Sequence, residues 1–253
     1  RLLSSNQTRY LLLFPSDTLK NRAFLTETVN MSSGKPTKEV VEALLKKSPY
    51  SASNEATLEA YVDAQASGDA PYYMDANRSL LKLYQFYPQN LKEDKVALIL
   101  LLALLQFPST DLLALRYLVP ERVQKAEPCH SILACSGLLD SCKFTEFWTA
   151  FSGLEGNEAI KALSTSSKEK MQRAIVEVFA LTYRTASVSK VLEALHMSSA
   201  ADLTKLNHPS IESIEGETVA FVASADNTKR NRQFQEGVNF NAIASMMAKV
   251  SSE

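Results

Sequence analysis

The stretch from Leu58 to Pro88, LEAYVDAQASGDAPYYMDANRSLLKLYQFYP, decides the architecture of this 253-residue chain. It holds two short amphipathic helices, LEAYVDAQ and DANRSLLKLYQFYP, divided by a breaker from Gly68 to Pro71. Asp75 stands where an N-cap is expected, its carboxylate accepting from the free N–H groups of the first turn. Arg78, Lys82 and Gln85 form one polar stripe at i, i+4 and i+7, and Leu80, Leu81, Leu83, Tyr84, Phe86 and Tyr87 take the other faces. A helix wetted along one narrow stripe is packed on several sides. Pro88 ends it, because the residue before a proline is pushed out of the α region.

Similar helices continue on both sides. Upstream, Thr37 caps a helix carrying Val40, Val41, Leu44 and Leu45. Further helical patterns cover 54–66, 75–87, 92–106, 109–119, 127–139, 143–151 and 168–184, with breaks at Pro88, Pro108, Pro120, Pro128 and Gly153 to Gly156. The apolar run VALILLLALL, Val96 to Leu105, is far shorter than the ~20 residues that span a bilayer and reads as a buried core helix. Short connections between helices imply antiparallel neighbours, so residues 37–166 form stacked helical hairpins.

From about Ser167 the pattern changes. A long helix is followed by one carrying Val188, Val191, Leu192 and Leu195, then by a third from Ser199 to Asn207. Ile211 to Ile214 and Thr218 to Val222 read as two strands around Glu215-Gly216-Glu217, a hairpin signal. Three helices followed by a hairpin make a winged helix over residues 167–223. Residues 224–253 are then a polar linker and a last amphipathic helix, and residues 1–36 a poorly ordered N-terminal extension. Arg1 in place of Met suggests an incomplete or processed start, and YLLLFP is too short for a signal-peptide core.

Composition narrows the function. Hydrophobic content of 45% and charged content of 22% suit a globular chain able to bury a proper core. Only 7 Gly and 9 Pro favour helix over a many-stranded sheet. The net charge of −1 gives no support to bulk phosphate binding, which needs a clustered positive surface. The three histidines are scattered, with no nucleophile elbow and no phosphate-cradling glycine loop, so no catalytic, cofactor or metal residue is assigned. Cys129, Cys135 and Cys142 lack zinc-ligand spacing and read as buried, reduced thiols. The three sequons, the last at Asn77, read as chance matches. Phe144, Phe147, Trp148 and Phe151 fall at i, i+3, i+4 and i+7, a core stripe.

The Leu58–Pro88 block resembles the k-subunit family of eukaryotic translation initiation factor 3. The matching positions are Leu58, Glu59, Tyr61, Val62 and Gln65, then Asp75, Ala76, Asn77, Leu80, Leu81, Leu83, Tyr84, Gln85, Phe86 and Pro88. Leu118 to Gln124 (LVPERVQ), Phe144 with Phe147-Trp148, and Ile243-Ala244-Ser245-Met246-Met247 fit the same family in the same order. The resemblance implies a mostly α, PCI-like fold: HEAT-like stacked hairpins followed by a winged helix with a small β-hairpin. It also implies a non-catalytic scaffold of the cytoplasm, without cofactor, membrane or small-molecule substrate. Its partners would be other subunits of the initiation factor 3 complex, especially the l subunit, near the small ribosomal subunit. The alternatives are a subunit of a proteasome-lid or signalosome type assembly, or a winged-helix nucleic-acid binder.

Three surfaces are candidates for contact. In the C-terminal helix Phe240, Ile243, Met247 and Val250 recur at spacings of three, four and three, an a/d seam that Met246 widens. The wing hairpin offers a strand edge with Val219 and Phe221, open to strand addition by a partner. Lys229, Arg230 and Arg232 form the one compact basic cluster, a weak signal for an RNA contact because no stacking aromatics are interleaved. The third helix of the winged helix has one Lys and one Asp but no Arg for a bidentate guanine contact, which argues against DNA reading.

Overall fold

An apolar helix with no wet face is stable only in the middle of other helices. In the computed structural model, which describes residues 36–154, 158–228 and 240–251, the VALILLLALL segment is such an axis. The helical half runs α1 (Lys38–Lys47), α2 (Glu55–Ala66), α3 (Met74–Phe86), α4 (Glu93–Leu104), α5 (Asp111–Arg116), α6 (Glu121–Gln124), α7 (Cys129–Asp140), α8 (Phe144–Ser152) and α9 (Glu158–Ser166). Every residue of α4 from Val96 to Leu104 is buried. It packs against α2, α3, α5, α7 and α9.

The α2–α3 hairpin is locked by polar groups taken out of water in pairs. Gln65 donates from Nε2 to Asn77 Oδ1 (2.9 Å), and Asn77 donates from Nδ2 to Gln65 Oε1 (3.3 Å). The same Gln65 oxygen accepts from the Tyr73 backbone N–H (3.0 Å). Tyr61 donates to the Pro71 carbonyl across the connecting loop (2.9 Å). Tyr84 donates to Glu59 (2.7 Å), whose other oxygen accepts from Lys92 (2.5 Å), so α2, α3 and the entry to α4 share one carboxylate. Lys95 pairs with Asp63 one turn further along α2. Buried groups that satisfy each other in this way penalise any other register. Replacing Gln65 with Leu should orphan the Asn77 amide and cost about 2 kcal/mol in a urea melt. The double variant Gln65→Leu/Asn77→Leu should recover part of that loss, since two apolar partners leave one orphan fewer.

Several details depart from the sequence reading. Tyr73, in extended backbone, holds the N-cap position of α3, and Asp75 lies in the first turn, where it pairs with Arg78 (2.6 Å). Phe86 is 58% exposed, because it lies one helical turn beyond Lys82 and shares that wet stripe; its ring meets Tyr50 edge-on. Cys129 and Cys135 are buried, but Cys142 is exposed in the turn after α7, with φ +56. Helix α9 had no counterpart in the pattern: it carries only Ile160 and Leu163 as buried large side chains and ends in Ser-Thr-Ser. Residues 1–35 lie outside the described residues, and Pro36 is buried.

The second half continues as α10 (Lys168–Thr182), β1 (Thr185–Ser187), α11 (Val188–Leu195), α12 (Ala200–Leu206), β2 (Ile211–Glu215) and β3 (Thr218–Phe221). The sheet is antiparallel in the order β1-β3-β2, so the anticipated hairpin is extended by a third strand. Gly216, at φ +55, makes the tight turn between β2 and β3. One cluster of buried side chains runs from Val41 in α1 to Phe221 in β3, so the stack and the winged helix share a core. Trp148 joins the two: its Nε1 donates to the Ala194 carbonyl at the end of α11 (2.8 Å). The last described element is α13 (Phe240–Val250).

Candidate partner-binding surfaces

Helix α13 leaves the large apolar side chains of its seam exposed among the described residues. Phe240 is 78% exposed, Met246 72%, Met247 68% and Val250 75%, and Ile243 is also exposed. Eleven residues are marginal as an isolated helix in water. The exit of the chain toward it is anchored. Asn227 donates from Nδ2 to the Ala180 and Val222 carbonyls (2.8 and 2.7 Å), and its Oδ1 accepts from the Ser224 N–H. The start of the linker expected from residue 224 is therefore pinned to α10. Lys229, Arg230 and Arg232 lie outside the described residues.

The wing must be redrawn. Val219 and Phe221 are fully buried, Phe221 stacking on Phe179 of α10 at 6.5 Å between ring centroids. Their strand is the central one of three, so both side chains belong to the core and neither main-chain edge of β3 is free. The error has a physical cause. In a two-stranded hairpin β3 would have been an edge, and the strand that covers it, Thr-Ala-Ser, has no apolar alternation to announce it. The outer strands of the sheet are β1 and β2, and it is β2 that carries the wing's edge.

On α12, Ser199 caps the helix by accepting from the Asp202 N–H, and Lys205 pairs with Asp202 at 3.0 Å. The single cation of that helix is thus already neutralised. Asp202 is held below the usual carboxylate range, first by the hydrogen bond from Lys205 and then by that from Ser199.

The other polar groups have structural roles. His208 is buried and accepts from the Ser210 N–H at Nδ1, and burial pushes its pKa down. His196, at φ +52, ends α11 and stacks on Trp148. Asn77 is fully buried in its pair with Gln65, out of reach of any glycosylating enzyme in the folded chain. Burial pushes both the Cys129 and Cys135 thiols up to about 11, which leaves almost no thiolate at neutral pH. A thiol reagent at pH 7 should therefore titrate Cys142 alone in the folded protein and all three cysteines after unfolding, which absorbance of the released product would count. Among the described residues no group of three or more His, Cys, Asp or Glu side chains is placed to hold a metal, and no helix is long and apolar enough to cross a membrane.

A stack of helical hairpins sharing its core with a terminal winged helix, followed by an exposed amphipathic helix, is a PCI-like architecture. The model of the CSN8/PSMD8/EIF3K family matches residues 90–232. The chain is 30% identical to eukaryotic translation initiation factor 3 subunit K of Homo sapiens over 199 residues, covering 79% of this chain and 89% of that protein. It is 27% identical to the Culex quinquefasciatus subunit K over 87% of this chain and 97% of that protein. With the Dictyostelium discoideum subunit K identity rises to 34%, over 58% of this chain and 57% of that protein. The chain belongs to the CSN8/PSMD8/EIF3K family, on the side of the initiation factor 3 subunit K proteins.

Proposed function

We propose that the chain is a scaffold subunit of the translation initiation factor 3 complex, without catalysis of its own, acting in the cytoplasm. The observation that carries this reading is the pairing of a single continuous core with an exposed apolar helix, α13, in a chain whose relatives are named subunit K. The core supplies rigidity and α13 supplies attachment. Its seam suits a helix of another subunit, and the l subunit is the partner we favour, with the small ribosomal subunit reached through the complex. The outer edge of β2 offers a second, main-chain mode of attachment by strand addition. Affinity purification of the tagged full chain, with the co-eluting proteins identified, tests the assignment. Initiation factor 3 subunits in stoichiometric amounts, the l subunit among them, are expected. Recovery of proteasome-lid or signalosome subunits in their place would overturn it.

A nucleic-acid-binding reading is weaker, because Lys205 on the third helix of the winged helix is already paired. The full chain is expected to leave a labelled duplex DNA unshifted at micromolar concentration and low salt.

A further inference from the structure

Arg173 of α10 has a glutamate one turn away on either side, Glu169 and Glu177, and it turns to the first. Its Nε and Nη2 donate to one oxygen of Glu169 (3.2 and 2.9 Å), the arrangement a helix favours when the acid lies N-terminal to the base. Nη1 is left over, and neither Glu177 nor Lys170 has an ion pair among the described residues. Lys170, Arg173, Ala174 and Glu177 stand at i, i+3, i+4 and i+7 on one face of α10, with the cations before the carboxylate. That face lines a crevice of about 200 Å3, whose other lining residues are Leu105 and Phe107, after α4, and His208, between α12 and β2. His208 is only 9% exposed. Its Nδ1 accepts from the Ser210 N–H (3.3 Å) and burial favours the neutral ring, so the hydrogen is on Nε2. No described group accepts from Nε2, and as a lining group of the crevice His208 offers that hydrogen to whatever enters.

Charge and size define the ligand. Lys170 and Arg173 against Glu169 and Glu177 leave the rim with no net charge. A lone anion drawn to the cations would also stand beside Glu177, and a lone cation drawn to Glu177 would stand beside Arg173; a zwitterion satisfies both. The volume is that of about six or seven waters at ~30 Å3 each, room for one amino acid but not for a peptide. Against Leu105, Phe107 and Ala174 a charged side chain would be left unpaired, so the side chain must be apolar. We propose that this crevice binds a free aliphatic α-amino acid of about the size of leucine. Lys170, Arg173 Nη1 and His208 Nε2 receive the carboxylate, Glu177 receives the ammonium, and the side chain rests on Leu105 and Phe107. The site is separate from α13, and its presence or absence leaves the scaffold reading unchanged.

The full chain is titrated with L-leucine and the ring signals of His208 are followed by nuclear magnetic resonance. Isocaproate, which lacks the ammonium, and isoamylamine, which lacks the carboxylate, serve as half-ligands. Leucine is expected to shift the His208 signals saturably, and each half-ligand to bind at least tenfold more weakly. Glu177→Gln, at an exposed position, should weaken leucine tenfold or more and leave isocaproate unchanged or tighter. Lys170→Met, also at an exposed position, should weaken both leucine and isocaproate. Neither variant should move the melting temperature by more than a few degrees. The proposal is overturned if leucine gives no saturable shift, or if either folded variant binds leucine like the parent. It is equally overturned if isocaproate binds as tightly as leucine, which would make the crevice a plain anion site.

Discussion

Replacing Trp148 with Ala should lower the stability of the chain by ~3–5 kcal/mol, the range for large-to-small changes of a buried aromatic. Trp148 is 2% exposed and meets Phe147 and Phe151 edge-on, with centroids 5.2 and 6.1 Å away. Its indole N–H also satisfies the Ala194 carbonyl at the C-terminal end of α11, where helical carbonyls have no partner of their own. Truncation therefore opens a cavity in the stack and orphans a carbonyl in the winged helix at once. A thermal melt followed by far-ultraviolet circular dichroism should drop by on the order of 10 °C. Trp148→Phe keeps most of the packing and loses the hydrogen bond, so about 1–2 kcal/mol is expected. Parent-like stability of the Ala variant would mean that the two halves are not held through this contact. As the chain has a single tryptophan, its emission in the parent protein reports on that junction alone.

Removal of residues 239–253 should have the opposite signature: little effect on the isolated chain and a large effect on assembly. The large apolar residues of α13, Phe240, Ile243, Met246, Met247 and Val250, are all exposed, so the deletion takes no counterpart from the core. The melting temperature should move by no more than about 1–2 °C, within the scatter of neutral surface changes. Incorporation into the initiation factor complex, read as the yield of co-purified subunits, should fall tenfold or more. The milder variant Ile243→Asp/Met247→Asp should reproduce the loss, because two carboxylates in an apolar seam must be desolvated without partners. A large fall in melting temperature with assembly intact would show that the helix belongs to its own chain.

The helical half was legible wherever apolar spacing was dense. Helix α4 is unbroken in hydrophobicity and is buried throughout; α3 starts and stops within a residue of the expectation because Pro88 enforces its end. The residues behind the family resemblance also acquire a physical meaning. Glu59 pairs with Tyr84 and Gln65 with Asn77 across the α2–α3 hairpin, and Tyr61 ties α2 to the Pro71 carbonyl of the connecting loop, so the block encodes a register. What escaped had weak local signal. Helix α9 is nine residues long with only Ile160 and Leu163 as buried large side chains, and β1 is three small residues whose pairing is visible only once β3 is in place. That missed strand is what turned Val219 and Phe221 from apparent edge residues into core. The seam of α13 was readable by spacing alone.

The burial of α4 by both earlier and later helices bears on how the chain is made. In an open solenoid each new repeat covers the one before it, and a growing chain is never far from a finished surface. Here the apolar axis is complete at Leu104, but its last neighbour, α9, ends only at Ser166, about 60 residues later. At synthesis rates of ~5–20 residues per second, one side of the leucine-rich helix waits several seconds on the ribosome for its last cover. Such a nascent chain is a natural client for a chaperone that holds apolar helices, and premature termination between α5 and α9 would release a fragment prone to aggregate rather than a shorter working scaffold.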